Sequence, residues 1–272
     1  MTEHFDATWL ALREPFDHAA RSISLARRFA ERLPMRPQII DLGAGTGSMF
    51  RFLAPIIGRR QDWLLVDSDA ALLDDAFGRT AAWARRRGYA ATSSDDELAL
   101  STPHGLWRVR AKAADLALGG GVGLPDGFVC SALLDLVSAA WLNRFFDGLS
   151  VPFLASLIVD GRDSWRPRHY YDARARAAFR RDQFRDKGFG PALGPTAPVS
   201  ALHSLAARGF VTASAASDWR IPRTALSMQR ALIEGRGFSD PHWRETRLRQ
   251  ALRGRLAITI GHRDILAFPA GG

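Results

Sequence analysis

A glycine-rich turn that begins with an acidic residue is the segment whose residue types and spacing most suggest chemistry. Residues 39–50 read IIDLGAGTGSMF and contain an Asp-x-Gly-x-Gly-x-Gly pattern from Asp41 to Gly47. A dinucleotide-binding turn has the pattern G-x-G-x-x-G, and Ser48 stands where its last glycine would be. The carboxylate of Asp41 would repel a phosphate, but it suits a ligand that carries an ammonium group.

S-adenosyl-L-methionine has the features that this turn would accept. It is positively charged at sulfur, carries an α-amino group and has no phosphate. Glycines let the backbone pass close beneath the amino-acid portion of the ligand. Asp41 is placed to receive the ammonium through water or through the turn backbone. The turn therefore predicts S-adenosyl-L-methionine as the cofactor.

A second acidic residue ends the next predicted strand. Asp67 follows the apolar run 63–66 and lies 24 positions after Gly43. A carboxylate at that point can accept hydrogen bonds from both hydroxyls of a ribose, a feature that fits NAD equally well. The alternative is a helix cap, because Ser68 and Asp69 also precede a helical pattern. With the glycine turn in place, we favour ribose binding.

Strand and helix patterns alternate through the first part of the chain. Apolar runs predict strands at 38–42, 63–66, 107–111, 128–131 and 152–159, and helical spacing predicts helices at 16–33, 46–57, 70–87 and 138–148. This alternation predicts a parallel sheet with helices on both faces. Residues 89–105 are polar and rich in turn formers, so we expect a loop there.

The C-terminal third has a different character. Residues 161–190 are rich in arginine and aromatic residues, and 188–198 form a loop of glycines and prolines. Helices are predicted at 199–208, 223–235 and 241–253, and strands at 210–215 and 256–268. The pattern indicates one domain (1–272), with an N-terminal helical cap (1–35), a cofactor-binding half (36–160) and a substrate-side half (161–272).

Four motifs in order resemble those of the class I S-adenosylmethionine-dependent methyltransferases. They are Asp41–Gly47, Asp67, Ala114-Asp-Leu116 and Ser131–Leu136. The resemblance covers roughly residues 36–160 by motif and 210–268 by strand pattern only. It implies an α/β fold with a Rossmann-like, seven-stranded, mostly parallel sheet whose last strand is antiparallel.

The resemblance also implies roles for individual residues. Asp115 would lie near the adenine amino group, Leu116 near the ring, and Ser131 and Leu134 on the cofactor floor. With the residues reasoned above, the predicted cofactor-binding set is Asp41, Gly43, Ala44, Gly45, Gly47, Asp67, Ser68, Asp115, Leu116, Ser131 and Leu134.

Residues that follow the fourth and fifth strands are the candidates for the acceptor site. Methyl transfer depends largely on positioning, and a base is needed only when the acceptor loses a proton. We expect Asp135, His169 and Tyr170 to supply base and orienting groups. The alternative for the last two is a solvated helix start with aromatic residues packed inward. Further walls are expected from His4, Phe5, Trp9 and Trp141.

The motifs of nucleic-acid methyltransferases are missing from their expected places. The Asn/Asp-Pro-Pro-aromatic motif of nucleobase enzymes is replaced by Ser131-Ala-Leu-Leu134. Cytosine-5 enzymes use a cysteine nucleophile that often follows a proline, whereas Cys130 follows Val129 inside a strand. The Lys-Asp-Lys-Glu set of ribose methyltransferases needs an early lysine, and no lysine precedes Lys112. We therefore expect a small-molecule acceptor, methylated at oxygen or nitrogen. The alternatives are an RNA methyltransferase that uses the arginine-rich third, and a non-catalytic cofactor-binding protein.

The charge distribution suggests an acidic acceptor and a lid. The net charge is +9, and residues 161–187 hold nine basic and four acidic residues. This field would suit an anionic metabolite, although a solvated helix face is the alternative. Lys187, one of two lysines, begins the glycine-proline loop. We expect a lid in which Lys187 or Arg185 meets an anionic group, with a plain connection as the alternative.

The remaining features concern metals and compartment. One cysteine, Cys130, excludes an intrachain disulfide and a cysteine metal cluster. Asp135, Asp160 and Asp163 could suggest a divalent metal, but helix caps explain the same acids, so no metal is predicted. No apolar run reaches the roughly 18 residues that span a bilayer, and no signal-peptide pattern is present. We expect a cytoplasmic protein without a membrane partner.

Overall fold

The structure is a computed structural model that describes residues 6–94, 96–119 and 123–270. The helices are α1 (Ala7–Ala20), α2 (Ile23–Glu31), α3 (Ser48–Ile57), α4 (Ala70–Arg86), α5 (Ala139–Asp147), α6 (Asp172–Gln183), α7 (Ala197–Ala207), α8 (Leu226–Glu234) and α9 (Pro241–Leu252). The strands are β1 (Gln38–Leu42), β2 (Gln61–Asp67), β3 (Ala90–Ser93), β4 (Glu97–Thr102), β5 (Gly105–Ala113), β6 (Gly127–Ser131), β7 (Phe153–Arg166), β8 (Phe210–Ala216), β9 (Trp219–Ile221) and β10 (Ala257–Pro269). Short 3₁₀ helices cover Leu116–Leu118 and Gly194–Thr196.

One mixed sheet runs through the molecule. Its order is β3-β4-β5-β2-β1-β6-β7-β10-β8, and β9 pairs with β10 outside this path. The five strands from β5 to β7 are parallel neighbours, whereas β10 is antiparallel to both β7 and β8. The prediction of a Rossmann-like, mostly parallel sheet with an antiparallel last strand is confirmed, and β5-β2-β1-β6-β7-β10-β8 are its seven strands.

Three further strands bring the sheet to ten. The prediction of a loop at 89–105 was wrong, because β3 and β4 form a hairpin that extends the sheet beyond β5. Leu98 and Leu100 of β4 are fully buried, while their neighbours are polar or small. Two apolar positions in a short, mostly polar segment are too few to distinguish an edge strand from a loop.

The N-terminal segment contains two helices where the periodicity of 16–33 predicted one. The break follows Arg21, and Ser22 caps α2 by accepting a hydrogen bond from the Leu25 amide at 3.3 Å. The amide of Ser22 donates to Asp264 Oδ2 on β10 at 2.7 Å. A distant carboxylate therefore helps to fix the turn, and the periodicity continues across the break without showing it.

Helices cover both faces of the sheet, and alternate residues of each strand point to opposite faces. Ile39 of β1 belongs to the core under α2, α3 and α4, whereas Ile40 belongs to the core under α5 and α7. Strands from 36–160 and from 161–272 pair in the same sheet. The division of the chain into a cap and two halves stays a prediction.

A third core lies where β7 and β10 extend past the rest of the sheet. β7 continues to Arg166, beyond its predicted end at 159, and pairs there with the start of β10. This core, which we call the tryptophan lobe, is defined by buried Trp165, Trp219 and Trp243. Helices α1, α8 and α9 contribute to it. Within the described ranges, no helix has the length and apolarity that crossing a membrane requires.

Candidate active site

The glycine turn after β1 adopts a backbone that requires glycine. The φ angles of Gly43, Gly45 and Gly47 are 67°, 51° and 78°, in the left-handed region that costs other residues free energy. A Cβ atom on Gly45 would lie 3.2 Å from Leu10 Cδ1, and one on Gly47 would lie 3.3 Å from Arg51 Nη1. The amide of Ala44 donates to Val66 O at 3.0 Å. The turn is thereby held against β2 and beneath α1.

A cavity of about 270 Å³ lies beside this turn, and we call it the loop cavity. It is found at the carboxyl ends of β1, β2 and β6, where the strand order reverses and where open α/β sheets bind ligands. Several predicted cofactor-binding residues line it, namely Gly43, Gly45, Asp67, Ser68, Asp115, Leu116 and Ser131. The structure therefore brings together residues from four separate sequence motifs.

The carboxylate of Asp67 holds the glycine turn to the end of β2. Its Oδ2 accepts from the Gly45 amide at 2.8 Å, and its Oδ1 accepts from the Asp69 amide at 3.0 Å. The cap of α4 is Asp69, whose side chain accepts from the amides of Ala71 and Leu72. Burial raises the pKa of Asp67. Each of its oxygens can accept a further hydrogen bond, so Asp67 fits a ribose diol.

The Asp115 segment forms another wall of the loop cavity. Asp115 caps the short helix Leu116–Leu118 by accepting from the Ala117 amide at 2.8 Å. The carbonyl of Leu116 accepts from Trp141 Nε1 at 2.7 Å. Trp141 therefore fixes the Leu116 backbone. It does not line the loop cavity, but it lines a separate cavity of about 580 Å³ together with Leu116.

The segment after β6 contributes different residues from those expected. Ser131 lines the loop cavity and accepts from Arg21 Nη2 at 2.9 Å. Leu134 is 1% exposed and packs in the core under α5 and α7. Ala132, with a φ of 53°, turns the chain so that its neighbour Leu133 lines the cavity instead. The structure does not bring Leu134 to the loop cavity.

A small pocket of about 60 Å³ adjoins the loop cavity and contains Asp41. Both cavities have Arg13, Gly43 and Ser131 in their walls. Asp41 is fully buried, and neither of its carboxylate oxygens has a hydrogen-bond partner in the described part of the chain. Burial raises its pKa to about 8, although the nearby Arg21 acts in the opposite direction. A buried carboxylate without a hydrogen-bond partner fits a cationic group, because a nearby positive charge stabilises its ionised form.

A second cavity of about 420 Å³ lies between the sheet and the tryptophan lobe, and we call it the aromatic cavity. It shares Arg13, Ala132 and Leu136 with the loop cavity. Its volume falls in the range of about 300–1,000 Å³ that small-molecule sites occupy. Its other lining residues are Asp6, Trp9, Asp135, Leu157, Val159, Phe179, Asp182, Gln183, Trp219, Ala231, Leu232, Gly235, Arg236, Ile260 and His262.

The structure places only one of the three predicted catalytic residues in the wall of a cavity described above. Asp135 is 3% exposed and lines the aromatic cavity. His169 lies between β7 and α6, where its ring is 5.5 Å from that of His242, and Tyr170 is 85% exposed. Neither His169 nor Tyr170 lines the loop cavity or the aromatic cavity, because β7 extends and displaces their turn. His4 and Phe5 lie outside the described residues.

The glycine-proline loop reaches the loop cavity. Lys187 is 6% exposed, and Lys187, Gly188 and Phe189 line that cavity. Lys187 Nζ lies 3.3 Å from Asp182 Oδ2. The Arg185 side chain is largely exposed, with a nitrogen 3.2 Å from Asp182 Oδ1. The glycines and prolines, with one of the two lysines at its start, were the sequence signal for this loop. A lid role stays a prediction.

Helix α1 supplies wall residues that no motif indicated. Leu10 lies over Gly45, and Arg13 lines the loop cavity, the small pocket and the aromatic cavity. Arg13 is held by Asp17 Oδ2 at 3.0 Å from its Nε, and its Cζ lies 4.9 Å from the Trp219 ring centroid. Trp9 of the same helix, which was expected as a wall residue, lines the aromatic cavity. Leu10 and Arg13 carried no such sequence signal.

Two of the three acids considered as metal ligands are engaged in ion pairs. Asp163 forms ion pairs with Arg176 and Arg236. Asp160 Oδ2 accepts from Arg162 Nε at 2.7 Å. In residues 6–94, 96–119 and 123–270, no three His, Cys, Asp or Glu side chains form a group that could hold a metal ion.

Comparisons with known proteins give similarities of fold. No family model and no curated protein matches the sequence. A methyltransferase from Thiobacillus denitrificans with S-adenosyl-L-homocysteine is 13% identical, with coverage of 97% of this chain and 99% of that one and a TM-score of 0.48. A Geobacter sulfurreducens methyltransferase with the same ligand is 14% identical, with coverage of 91% and 90% and a TM-score of 0.46.

A third solved structure has a named substrate. Geranyl diphosphate C-methyltransferase from Streptomyces coelicolor A3(2), with Mg²⁺, geranyl diphosphate and S-adenosyl-L-homocysteine, is 14% identical. The match covers 91% of this chain and 80% of that one, with a TM-score of 0.43. At such identities the likeness concerns the fold alone, and the function of this chain is inferred from its own side chains.

Proposed function

We propose that this protein is an S-adenosylmethionine-dependent methyltransferase that acts on oxygen or nitrogen of a small molecule. The observation that supports this proposal is the pair of adjoining cavities. The loop cavity is lined by the residues expected to bind the cofactor, and the aromatic cavity shares Arg13, Ala132 and Leu136 with it. Two ligands bound in neighbouring cavities gain the proximity on which a displacement reaction depends.

The residues of the loop cavity and its small pocket fit this cofactor. Asp41 would hold the ammonium group, because a buried carboxylate without a hydrogen-bond partner gains most from a cation. Asp67 would accept hydrogen bonds from the ribose hydroxyls, and Asp115 and Leu116 would contact the adenine. When bound, S-adenosylmethionine supplies a methyl group on a positively charged sulfur. Ala44, Gly47 and Leu134 would act through backbone shape and packing.

Asp135 is the predicted catalytic residue that this proposal retains. It is buried in the wall of the aromatic cavity, where its carboxylate would accept a hydrogen bond, and then the proton, from an acceptor hydroxyl or amine. His169 and Tyr170 are not included, since they line neither of the two cavities.

One observation favours the RNA alternative. Arg174, Arg180 and Arg181 of α6 are exposed and could meet phosphates. An RNA enzyme should bind a polyanion column with a steep dependence on salt. Weak retention that is insensitive to salt would remove this alternative. A non-catalytic protein would bind the cofactor and form no methylated product from any metabolite pool.

Parallel calorimetric titrations with S-adenosylmethionine, S-adenosylhomocysteine and NAD test the proposal. We expect the first two to bind and NAD to show no heat of binding. Labelling of a metabolite extract with methyl-labelled cofactor then identifies the acceptor. Binding of NAD alone would overturn the proposal and indicate hydride transfer instead.

A further inference from the structure

The two arginines in the wall of the aromatic cavity, Arg13 and Arg236, and one of its acids, Asp182, already have partners within the protein. The ion pairs are Arg13–Asp17, Arg236–Asp163 and Lys187–Asp182. An anionic ligand would find no free arginine among the described residues of the wall to pair with, and its burial would cost desolvation free energy. The wall therefore favours a ligand without a negative charge. Most arginines of 161–187 are exposed, and none of them lines this cavity.

The rings of Trp9, Phe179 and Trp219 form part of the cavity wall and are held in fixed positions. Trp219 Nε1 donates to Asp17 Oδ1 at 2.9 Å, and the Trp219 ring meets Trp9 edge-on at 6.2 Å between centroids. The ring of Phe179 is covered by Arg236, whose Cζ lies 4.4 Å from its centroid. Such rings gain most contact with a flat, apolar partner, by stacking or edge-to-face packing.

His262 offers a hydrogen-bond acceptor in the wall of the aromatic cavity. Its Nδ1 lies 3.1 Å from the carbonyl oxygen of Ile260. Because a carbonyl oxygen can only accept, Nδ1 carries the ring proton and Nε2 carries the lone pair. The residue is 3% exposed and lines the aromatic cavity. Burial lowers the pKa of His262 to about 4, so the ring is neutral at pH 7.

Strained backbone occurs at the same cavity. Within the described ranges, Ala132 and Leu157 are the non-glycine residues with positive φ, at 53° and 57°, and both line the aromatic cavity. The amide of Leu157 is held by Asp264 Oδ1 at 2.8 Å. Residues in such conformations cluster at ligand sites, where the surrounding structure maintains them.

We propose that the aromatic cavity binds an uncharged aromatic molecule, one hydroxyl or amine N–H of which donates a hydrogen bond to His262 Nε2, and that this group is not the one that Asp135 would deprotonate. That this molecule is the methyl acceptor rests on the proposed function. That it binds here depends only on the cavity.

Three naphthalene probes of similar size test the ligand class. They are 1-naphthol, 1-methoxynaphthalene, which lacks the donor, and 1-naphthoate, which is an anion. Binding is measured by quenching of tryptophan fluorescence and by equilibrium dialysis. We expect 1-naphthol to bind about five- to tenfold more tightly than the methoxy compound, the factor for one hydrogen bond, and the naphthoate to bind most weakly. Tightest binding of the naphthoate, or binding of none of the three, would overturn the inference.

Substitution of the histidine tests its part in recognition. His262→Phe should bring the naphthol-to-methoxynaphthalene affinity ratio close to one, whereas His262→Gln should retain part of it, because the amide oxygen can accept. His203→Phe is the matched control, since His203 is exposed on α7, and it should leave the ratio unchanged. An unchanged ratio in His262→Phe would show that Nε2 is not the acceptor. If that variant does not fold, the ratio in His262→Gln decides.

Titration of the same samples with S-adenosylhomocysteine separates the two proposals. We expect all of these variants to bind it with the affinity of the original protein. If S-adenosylhomocysteine does not bind, the proposed methyl transfer is contradicted, and the naphthol-to-methoxynaphthalene ratios still test the aromatic cavity. If S-adenosylhomocysteine binds normally but the original protein shows no preference for 1-naphthol over 1-methoxynaphthalene, only the inference about the aromatic cavity is contradicted.

Discussion

The loop cavity and the aromatic cavity adjoin each other, yet they are built in different ways. Most walls of the loop cavity are residues that directly follow β1, β2, β5 and β6. The aromatic cavity is assembled from α1, β7, α6, α8 and β10, which are far apart along the chain. The first therefore rests on local turns, and the second on packing between distant segments. Variants that affect one cavity and spare the other would test this difference.

The largest expected effect is on the loop cavity. Asp67→Ala removes the proposed partner of the ribose hydroxyls and the acceptor of the Gly45 amide. We expect affinity for S-adenosylhomocysteine to fall about 100-fold, the equivalent of two hydrogen bonds to a charged group. Calorimetry measures it, with Asp62→Ala on the same strand as the control. Unchanged affinity in Asp67→Ala would remove this residue from the ribose site.

A pH dependence should separate the small pocket from the rest of the site. Asp41 has a pKa raised from 3.8 to about 8, and an ammonium ligand requires its ionised form. Binding below pH 8 should therefore release about one proton, and affinity for S-adenosylhomocysteine should rise up to tenfold per unit between pH 5 and 7. Calorimetry in buffers of different ionisation enthalpy measures the proton. In Asp41→Asn this dependence should disappear.

The stability of the free protein should change in the opposite direction. Between pH 4 and 8 the folded state keeps the Asp41 proton while the unfolded state has lost it. The contribution of Asp41 to the free energy of unfolding therefore falls as pH rises through this window. Urea titrations of Asp41→Asn and the original protein should differ in slope against pH. Parallel slopes would contradict the assignment.

Filling the aromatic cavity should leave the cofactor site intact. Leu232 of α8 lines the aromatic cavity and not the loop cavity. Leu232→Trp should weaken binding of 1-naphthol about tenfold or more by taking up space that the ligand needs. Affinity for S-adenosylhomocysteine should stay within about twofold of the original, since these groups are separated. The exposed Leu252→Trp is the control. Equal losses of both ligands would show that the cavities are not independent.

The smallest effects are expected for alanine substitutions of two glycines that have different backbone conformations. Gly45→Ala should lower the free energy of unfolding by about 1–2 kcal/mol, because φ is 51° there. Gly78→Ala, within α4 and with open space around it, should raise that free energy by about 0.5–1 kcal/mol. Urea denaturation measures both. The same sign for both variants would contradict the left-handed conformation of Gly45.

The difference between the two cavities also explains which site residues could be predicted from the sequence. Gly43, Gly45 and Asp67 were predicted as site residues because each follows a strand within a few positions, and strand ends meet at one edge of a parallel sheet. Arg13 and Leu232 had no such signal, since helical periodicity says only that a face is buried. Leu134 was predicted on the cofactor floor but lies in the core, because the chain turns at Ala132, a non-glycine residue with positive φ.

The expectations for His169 and Tyr170 depended on where β7 ends. The apolar run stops at 159, but the strand continues to Arg166 because it pairs with the start of β10. A strand stabilised by a partner about 100 positions away leaves no trace in its own composition. The hairpin of β3 and β4 escaped prediction for a related reason, since its burial comes from the edge strand it joins.

The ion pair between Lys187 and Asp182 joins the walls of the two cavities. Lys187 lines the loop cavity and Asp182 lines the aromatic cavity, with 3.3 Å between their charged atoms. A ligand that draws Lys187 toward itself in one cavity changes the field that an occupant of the other experiences. Thermodynamic reciprocity then requires each ligand to alter the affinity of the other by the same factor. The affinity measured for either partner would then depend on whether the other is bound.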